Sequence, residues 1–469
     1  MNEDDFLVKF CQDFQSSKFN EVLESAPLML PRKFQKQFLH NIVEVLEKPD
    51  VDNSIKAKIL NCIKLCFGIE SRVKDFVDEN LYLSLPYSNS AFSDYIFDIM
   101  YYIFVYFPQS INNKMVSIIK SLIKQNSEKC LVLFCIYGHS FNIVDNPWPV
   151  TDLLFSETLL FNQESLIPNY VSILSYLNRF SRTFKTNRSK HSWNQICTIL
   201  TTCSSDESIL SCYKGLITIA DTTTNHQMPM DCINNHITNK TFQDTVLSLL
   251  LVSDLTEKES TSTRFLRNLI NVSKTNSKSS IVLMKLSDNF NTAKNLLQNT
   301  EILTDKLPTS ENTLKIVLSI CKHKELRDSL PKNPNFVTFL LMLVNENIKN
   351  IISIVCTLLR RIPLSDEFII NLSEKEFFQK YFNLCKESTD ENEKHSAFLL
   401  TGTLCHFCYI KDMLFMSSWC IEEIEKNGNL KDESRTIIQR LNRFSECQAF
   451  FKSKNFSINY KRSKTNTKD

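Results

Sequence analysis

Glycine is scarce throughout this chain, with five glycines among 469 residues. At the usual frequency near 7%, a chain of this length would carry roughly 33 glycines. Glycine supplies the positive-φ turns and the close backbone approaches on which phosphate loops, dinucleotide folds, nucleophile elbows and tight hairpins depend. With so little glycine, the chain has few of these devices available. The sequence therefore predicts helices joined by polar loops and disfavours most classes of enzyme.

The composition sets the size of the core and the overall charge. Hydrophobic residues make up 43% of the chain, which is ample for a core, and the length favours several domains or one extended array. The 54 basic and 52 acidic residues leave a net charge of +2. No global field would attract nucleic acid or an anionic membrane, so such a contact would need a local patch.

The cysteines and the most apolar segment both indicate a soluble protein. The first residues are acidic and lack a secretory signal, so we expect the 16 cysteines to be reduced core residues and the protein to be cytoplasmic, with the nucleus as the alternative. Residues 95–107 form the most apolar stretch, but its 13 residues include Asp98, whereas a membrane span needs about 20 apolar residues. We predict a buried core helix there and no membrane span.

Apolar segments with helical spacing recur at a nearly constant distance along the chain. Their starts are separated by 40, 35, 41 and 38 residues in the first half and by 36 and 46 residues in the second half. The rhythm is weaker in the middle, where residues 264–272 form one recognisable unit. A period near 40 residues is typical of stacked helical repeats. The starts are Ile55, Tyr95, Cys130, Val171 and Ile209, followed by Ile316, Ile352 and Phe398.

Two segments give this periodicity a familiar form. Residues 65–77 (LCFGIESRVKDFV) and 318–330 (LSICKHKELRDSL) both look like the end of a long helix, a polar turn and the start of a short helix. In this pattern the chain resembles the armadillo and HEAT repeat superfamily from about residue 30 to about residue 445. It departs from armadillo repeats because it lacks the glycine that usually separates the two short helices.

The resemblance implies an all-α fold, a right-handed superhelical armadillo/HEAT-like helical repeat array of roughly eight to ten irregular units. We predict a single solenoid over residues 1–451, irregular within 222–313, followed by a basic disordered tail at 452–469. We expect the protein to be monomeric.

One basic segment is a candidate binding site. Residues 165–205 contain no acidic residue, and we predict a solvated loop between Phe180 and Trp193 with a core face behind it. The aromatic residues Tyr176, Phe180 and Phe184 alternate with the cations, and their spacing favours the buried face of a helix. The candidate residues for binding an anion or a partner are Arg179, Arg182, Lys185, Arg188 and Lys190.

Catalytic, cofactor and metal sites are not indicated. Cys405 and Cys408 have a metal-like spacing but no second pair to complete a zinc tetrahedron, so we interpret both as helical core residues. The eight histidines form no short ligand pair and none lies near a nucleophile motif. We therefore predict no catalytic residue, no cofactor and no metal.

The tryptophans disfavour one branch of the armadillo family. Importin-α proteins hold basic peptides with a Trp followed by an Asn one helical turn later, in successive repeats. In this chain the residues four positions after the three tryptophans are Asp152, Cys197 and Glu423, so that ladder is missing.

The fold resemblance implies a long concave groove that binds extended peptides or helices. We therefore predict a non-enzymatic scaffold or adaptor with protein partners of unknown identity. The first alternative is a binder of nucleic acid or of acidic or phosphorylated ligands through the basic segment, although we expect no nucleic-acid partner. The others are an undetected enzyme and a regulatory helical-repeat region associated with protein kinases.

Overall fold

The computed structural model of the chain describes Leu23 and residues 32–220, 227–299, 302–303, 311–345, 352–407 and 410–456. Within these residues all regular secondary structure is α-helix or short 3-10 helix, and no strand occurs. This confirms the all-α prediction. The described residues cluster by contact into two units, one within 1–232 and 241–254, the other within 233–240 and 255–469.

The first unit is built mainly from helices of nine to twenty-one residues joined by short turns, with two shorter helices among them. Asn and Asp side chains begin several of them by accepting hydrogen bonds from free backbone N–H groups, as Asp52 does from Ser54 N at 2.7 Å and Ile55 N at 2.9 Å. The helices up to the end of this unit are α1 (Arg32–Glu47), α2 (Asn53–Cys66), α3 (Glu70–Asp78), α4 (Ser93–Tyr106), α5 (Asn113–Gln125), α6 (Ser127–His139), α7 (Trp148–Ser156), α8 (Leu159–Asn162), α9 (Ile167–Phe180), α10 (Arg182–Thr202), α11 (Asp206–Ala220), α12 (Met230–His236) and α13 (Lys240–Val252).

Five helices of this unit pack in sequence, α2 on α4, α4 on α6, α6 on α9 and α9 on α11. We call the helices of such a series, in which each packs on the next, ladder helices. Each buries the face that carries its apolar repeat, and the five predicted starts from Ile55 to Ile209 fall in these five helices, one in each. The spacing of apolar segments in the sequence is therefore the spacing of the ladder helices.

The second unit repeats the arrangement. Its ladder helices are α16, α18, α21, α24 and α26, each packed on the next. The predicted starts Ile316, Ile352 and Phe398 lie in α18, α21 and α24. The helices of this unit are α14 (Glu257–Ser260), α15 (Thr263–Ser273), α16 (Ser277–Leu286), α17 (Phe290–Asn299), α18 (Glu311–Ile320), α19 (Lys324–Ser329), α20 (Pro334–Asn345), α21 (Ile352–Arg361), α22 (Asp366–Glu374), α23 (Phe377–Glu387), α24 (Glu391–Leu404), α25 (Ile410–Glu425), α26 (Lys431–Leu441) and α27 (Ser445–Ser453).

The two segments that carry the repeat resemblance have the expected form. Helix α2 ends at Cys66, a turn follows, and α3 begins at Glu70. Helix α18 ends at Ile320, a turn follows, and α19 begins at Lys324. The helical prediction for residues 95–107 is also confirmed, because α4 buries Ile96, Ile99, Met100, Ile103 and Phe104. Among the described helices, none has the length and apolar content required to cross a bilayer.

The scarce glycines do not supply positive-φ turns. In the described residues the positive-φ positions are occupied by Asn80, Glu376, Asn427 and Asn455 and by no glycine. Two glycines instead allow helices to approach closely. A Cβ atom on Gly138 of α6 would lie 2.5 Å from Leu177 Cδ2 of α9, and one on Gly215 of α11 would overlap Val171 of α9.

The predicted loop between Phe180 and Trp193 is wrong, because this segment belongs to α10 (Arg182–Thr202). Ser181 begins the helix by accepting a hydrogen bond from Phe184 N at 3.2 Å. Only Phe184 and Ser189 are buried in the first ten residues of the helix. The remaining positions are polar on all sides, so the apolar periodicity that identifies a helix is missing there.

Most of the described cysteines lie in the core, as predicted. Ten of the fourteen are buried and all fourteen are free thiols. Cys405 is buried, but it follows the last residue of α24 and does not lie within the helix as the sequence suggests. Cys408 and residues 457–469 of the predicted tail lie outside the described residues.

Candidate functional site

The structure divides the five predicted binding residues between two helices of the first unit. Arg179 lies in the last turn of α9, and the other four lie in α10. Residues three apart on a helix share a side, so Arg182, Lys185 and Arg188 form one row. Lys190 is two residues beyond Arg188 and lies on a different side of the helix. The five cations therefore do not form a single patch.

Arg188 is already engaged within the protein. Its Nη2 lies 2.6 Å from Asp152 Oδ1, and its guanidinium lies 4.8 Å from the centre of the Trp148 ring. A cation over a Trp face is attracted by the quadrupole of the ring. Arg182, Lys185 and Lys190 form no ion pair with any described residue. Within the row, Arg182 and Lys185 thus have no ion-pair partner among the described residues. Two cations would neutralise few phosphates of an anionic polymer such as a nucleic acid.

The aromatic residues of this segment are divided as well. Phe184 is fully buried, as the spacing predicts, whereas the side chain of Phe180 is 59% exposed, so the prediction of a buried face is wrong for Phe180. Tyr176 packs against Phe180 with ring centres 4.8 Å apart. Arg179 lies 5.3 Å from the centre of the Phe180 ring. The end of α9 therefore presents one exposed aromatic residue beside one cation.

A second surface, which the sequence reasoning did not select, lies in the second unit. An open cleft of about 410 Å³ lies where α16, α18 and the end of α21 meet. A hydrogen bond links α16 and α18, from Ser319 Oγ to Met284 O at 3.5 Å, and a second links the turns that follow them, between His323 Nε2 and Ser287 O at 2.8 Å. The cleft is lined by Ile281, Met284, Lys285, Asp288, Lys315, Leu318, Ser319, Lys322 and Arg361.

The floor of the cleft is apolar and open to solvent. It is formed by Ile281 and Met284 of α16 and Leu318 of α18. The side chain of Ile281 is 49% exposed, and Met284 and Leu318 are half-buried. These residues occupy the side of each ladder helix that faces away from the core, where a helix of a globular protein normally carries polar residues.

The rim of the cleft is mainly cationic. Lys285, Lys315, Lys322 and Arg361 line it together with a single carboxylate, that of Asp288. Lys322 Nζ lies 2.6 Å from Asp288 Oδ1, and Lys315 pairs with Glu311 one turn earlier on α18.

Helix termini account for part of this charge. Lys285 and Arg361 lie in the last turns of α16 and α21, and Lys322 follows the end of α18. Cations are favoured there because the C-terminal end of a helix carries partial negative charge. This effect explains the cations but not the apolar floor between them, so the floor is the feature that distinguishes the cleft from an ordinary group of helix ends.

The sequence contains a signal for this surface. Ile281 follows Lys278 by three residues and precedes Lys285 by four, and Leu318 has the same relation to Lys315 and Lys322. Both segments have the pattern Lys-x-x-apolar-x-x-x-Lys, in two successive ladder helices. The signal was missed because Ile281 and Leu318 also fit the helical repeat of core residues.

No cluster of three or more His, Cys, Asp and Glu side chains that could hold a metal ion occurs among the described residues. Burial raises the pKa of Cys405 to about 11 and that of Cys130 to about 12. Thiols with such pKa values are protonated at neutral pH and are poor ligands and nucleophiles.

Trp193 and Trp419 are both buried, and Trp193 Nε1 donates a hydrogen bond to Gln227 O at 3.0 Å.

Comparison with known proteins identifies no family. No protein-family profile and no curated protein sequence matches the chain. One similar solved structure, from work on a phosphorylation switch in the interaction between cadherin and beta-catenin, is 11% identical over 85% of this chain and 83% of that chain, with a TM-score of 0.31.

Two further structures are similar at the same level. The karyopherin Kap121p bound to the extreme C-terminus of the phosphatase Cdc14p is 12% identical over 97% of this chain and 51% of that chain, with a TM-score of 0.31. SYS-1 is 11% identical over 97% of both chains, with a TM-score of 0.23. These scores are too low to support an argument about function, which therefore depends on the chain's own surfaces.

Proposed function

We propose that the protein is a non-enzymatic scaffold or adaptor that binds partner proteins. In this proposal an extended or helical segment of the partner lies along the exposed side of the ladder helices, in the concave groove that the repeat resemblance implies. The cleft between α16 and α18 receives one apolar side chain of that segment.

The observation that carries the proposal is the exposed apolar floor of the cleft. Ile281 and Leu318 belong to two successive ladder helices and line the same cleft. Apolar surface in water costs about 25 cal/mol per Å², so an apolar side chain of a partner would be stabilised by covering it. A cleft of about 410 Å³ falls within the size range of pockets that hold small molecules, so it has room for an apolar side chain.

Panning a random library of displayed 15-residue peptides on the full chain tests the proposal. We expect peptides to be enriched, and we expect Ile281→Glu to weaken their binding by about tenfold or more, because it places a carboxylate in the apolar floor. The matched control is Ile370→Glu on α22, since Ile370 is 42% exposed but does not line the cleft. Failure to enrich any peptide, or equal losses in both variants, would contradict the proposal.

The alternatives remain hypotheses with a simple test. Single-stranded RNA binding that falls steeply with salt and is lost in Arg182→Gln/Lys185→Gln would favour the basic segment as the functional site. Binding of a kinase catalytic domain that survives Ile281→Glu would favour a kinase-associated regulatory role.

A further inference from the structure

The cleft of the second unit carries a repeated pattern of charge around its apolar floor. Positions i−3, i and i+4 lie on one side of a helix. On α16 this row is Lys278, Ile281 and Lys285. On α18 it is Lys315 and Leu318, and Lys322, the next position of the pattern, lies in the turn two residues after the end of α18. In each segment an apolar residue of the cleft lies between two lysines, of which only Lys278 does not line the cleft, and α16 and α18 pack on each other.

We infer that this cleft binds an acidic peptide segment in which an apolar side chain is flanked on both sides by Asp or Glu. The inference rests on the proposed function and adds the chemistry of the partner. The apolar side chain of the segment contacts the floor, and its carboxylates lie over the lysines and Arg361, the last residue of the third ladder helix at the cleft.

The carboxylates that pair with Lys315 and Lys322 do not satisfy these two lysines strongly. Lys322 and Asp288 pair across the surface with their side chains 57% and 59% exposed, and the pair between Lys315 and Glu311 is exposed to a similar extent. Exposed ion pairs contribute about 0–1 kcal/mol. An incoming carboxylate can therefore share or replace these partners at little cost. A basic segment would instead meet four cations and one carboxylate.

The lining also distinguishes a peptide from a nucleic acid. Single-stranded nucleic acids are held by aromatic side chains on which the bases stack. None of the nine described side chains that line the cleft is aromatic. The aliphatic and thioether floor matches Leu, Ile, Met or Phe side chains, which a nucleic acid does not carry.

Three libraries of displayed 15-residue peptides, panned in parallel on the full chain, test the inference. All carry Leu, Ile, Met or Phe at the three central positions, and the flanks are drawn from Glu, Asp and Ser in the first, Gln, Asn and Ser in the second, and Lys, Arg and Ser in the third. We expect about tenfold greater recovery from the acidic library than from the neutral one, and least from the basic one.

Two double variants locate the charge effect. Lys315→Gln/Arg361→Gln removes two cations of the cleft and should reduce recovery of the acidic peptides by about tenfold, while recovery of neutral peptides stays within about twofold. Lys332→Gln/Lys375→Gln removes two exposed cations that do not line the cleft and should have no effect.

Preferential recovery of neutral or basic peptides that is lost in Ile281→Glu would overturn the acidic partner and leave the proposed function intact. Equal effects of the two double variants would also overturn the inference. If none of the three libraries is enriched, the inference fails, and the random library then decides separately whether the proposed function fails with it.

Discussion

Gly215 on α11 faces Val171 on α9 so closely that a Cβ atom at residue 215 would overlap the Val171 side chain. The same Cβ would lie 3.2 Å from Ile196 Cδ1 of α10 and 3.2 Å from Ser175 Oγ of α9. The absence of a side chain at this position therefore sets how closely three helices of the first unit approach one another.

Gly215→Ala should destabilise the protein. Alanine favours a helix by about 1 kcal/mol over glycine, but overpacking costs about 1–3 kcal/mol, and Val171 has little rotamer freedom to move away. Gly402→Ala on α24 is the control, because its nearest neighbour is the flexible Arg440 side chain at 3.5 Å, and it should be neutral or stabilising. Urea unfolding compares the two, and stabilisation by both would show that the close approach is unimportant.

Arg188→Met should lower the free energy of unfolding by about 0.5–1.5 kcal/mol, because it removes the ion pair to Asp152 and the cation over Trp148 while keeping an apolar stem. Lys190 lies two residues away and is exposed, so Lys190→Met should change the free energy of unfolding by less than about 0.5 kcal/mol. Chemical denaturation measures both. An equal cost at the two positions would mean that Arg188 has no special structural role.

The pKa of His191 is lowered from its ordinary value of 6.5, mainly by burial and further by the charge of Arg188, while Asp152 opposes the shift. Arg188→Met should therefore raise the pKa of His191, and Asp152→Asn should lower it. NMR titration of the imidazole tests the two opposite directions. Shifts of the same sign in both variants would show that the two charges do not act as described.

His191 also makes stability depend on pH. Since the folded state disfavours its protonation, the unfolded state binds more protons as the pH falls through 6.5. The contribution of His191 to the free energy of unfolding is thus greatest above pH 6.5 and decreases as the pH falls below that value. His191→Gln should flatten the dependence of the unfolding midpoint between about pH 7 and pH 5.5, and an unchanged slope would contradict this.

The thiol of Cys203 should react with iodoacetamide faster than that of Cys130 in the native protein. A hydrogen bond with the buried Cys212 thiol lowers the pKa of the partly exposed Cys203, whereas burial raises the pKa of Cys130 to about 12. Peptide mass spectrometry at pH 8 should show at least about tenfold faster alkylation of Cys203. Cys212→Ala should slow it, and equal rates for Cys203 and Cys130 would disprove the prediction.

The sequence predicted the helical repeat because the ladder helices bury Ile, Leu and Phe at regular positions. It failed at residues 182–191, where contacts of Phe184 with Phe141 and Phe155, and of Arg188 with α7, support a helix with few apolar residues of its own. It also failed at Ile281 and Leu318. Their apolar character fits both a core and an exposed floor, and only the packing of α16 on α18 shows which side of each helix remains uncovered.

The ladder has a consequence for how the chain reaches its native state. Each ladder helix packs on one that lies about 40 residues away in sequence, so a neighbouring pair forms with less loss of chain entropy than a pair of distant helices would. Assembly can begin at any such pair and spread in both directions. Local damage at one helix should therefore loosen its neighbours first and leave distant helices protected against hydrogen exchange.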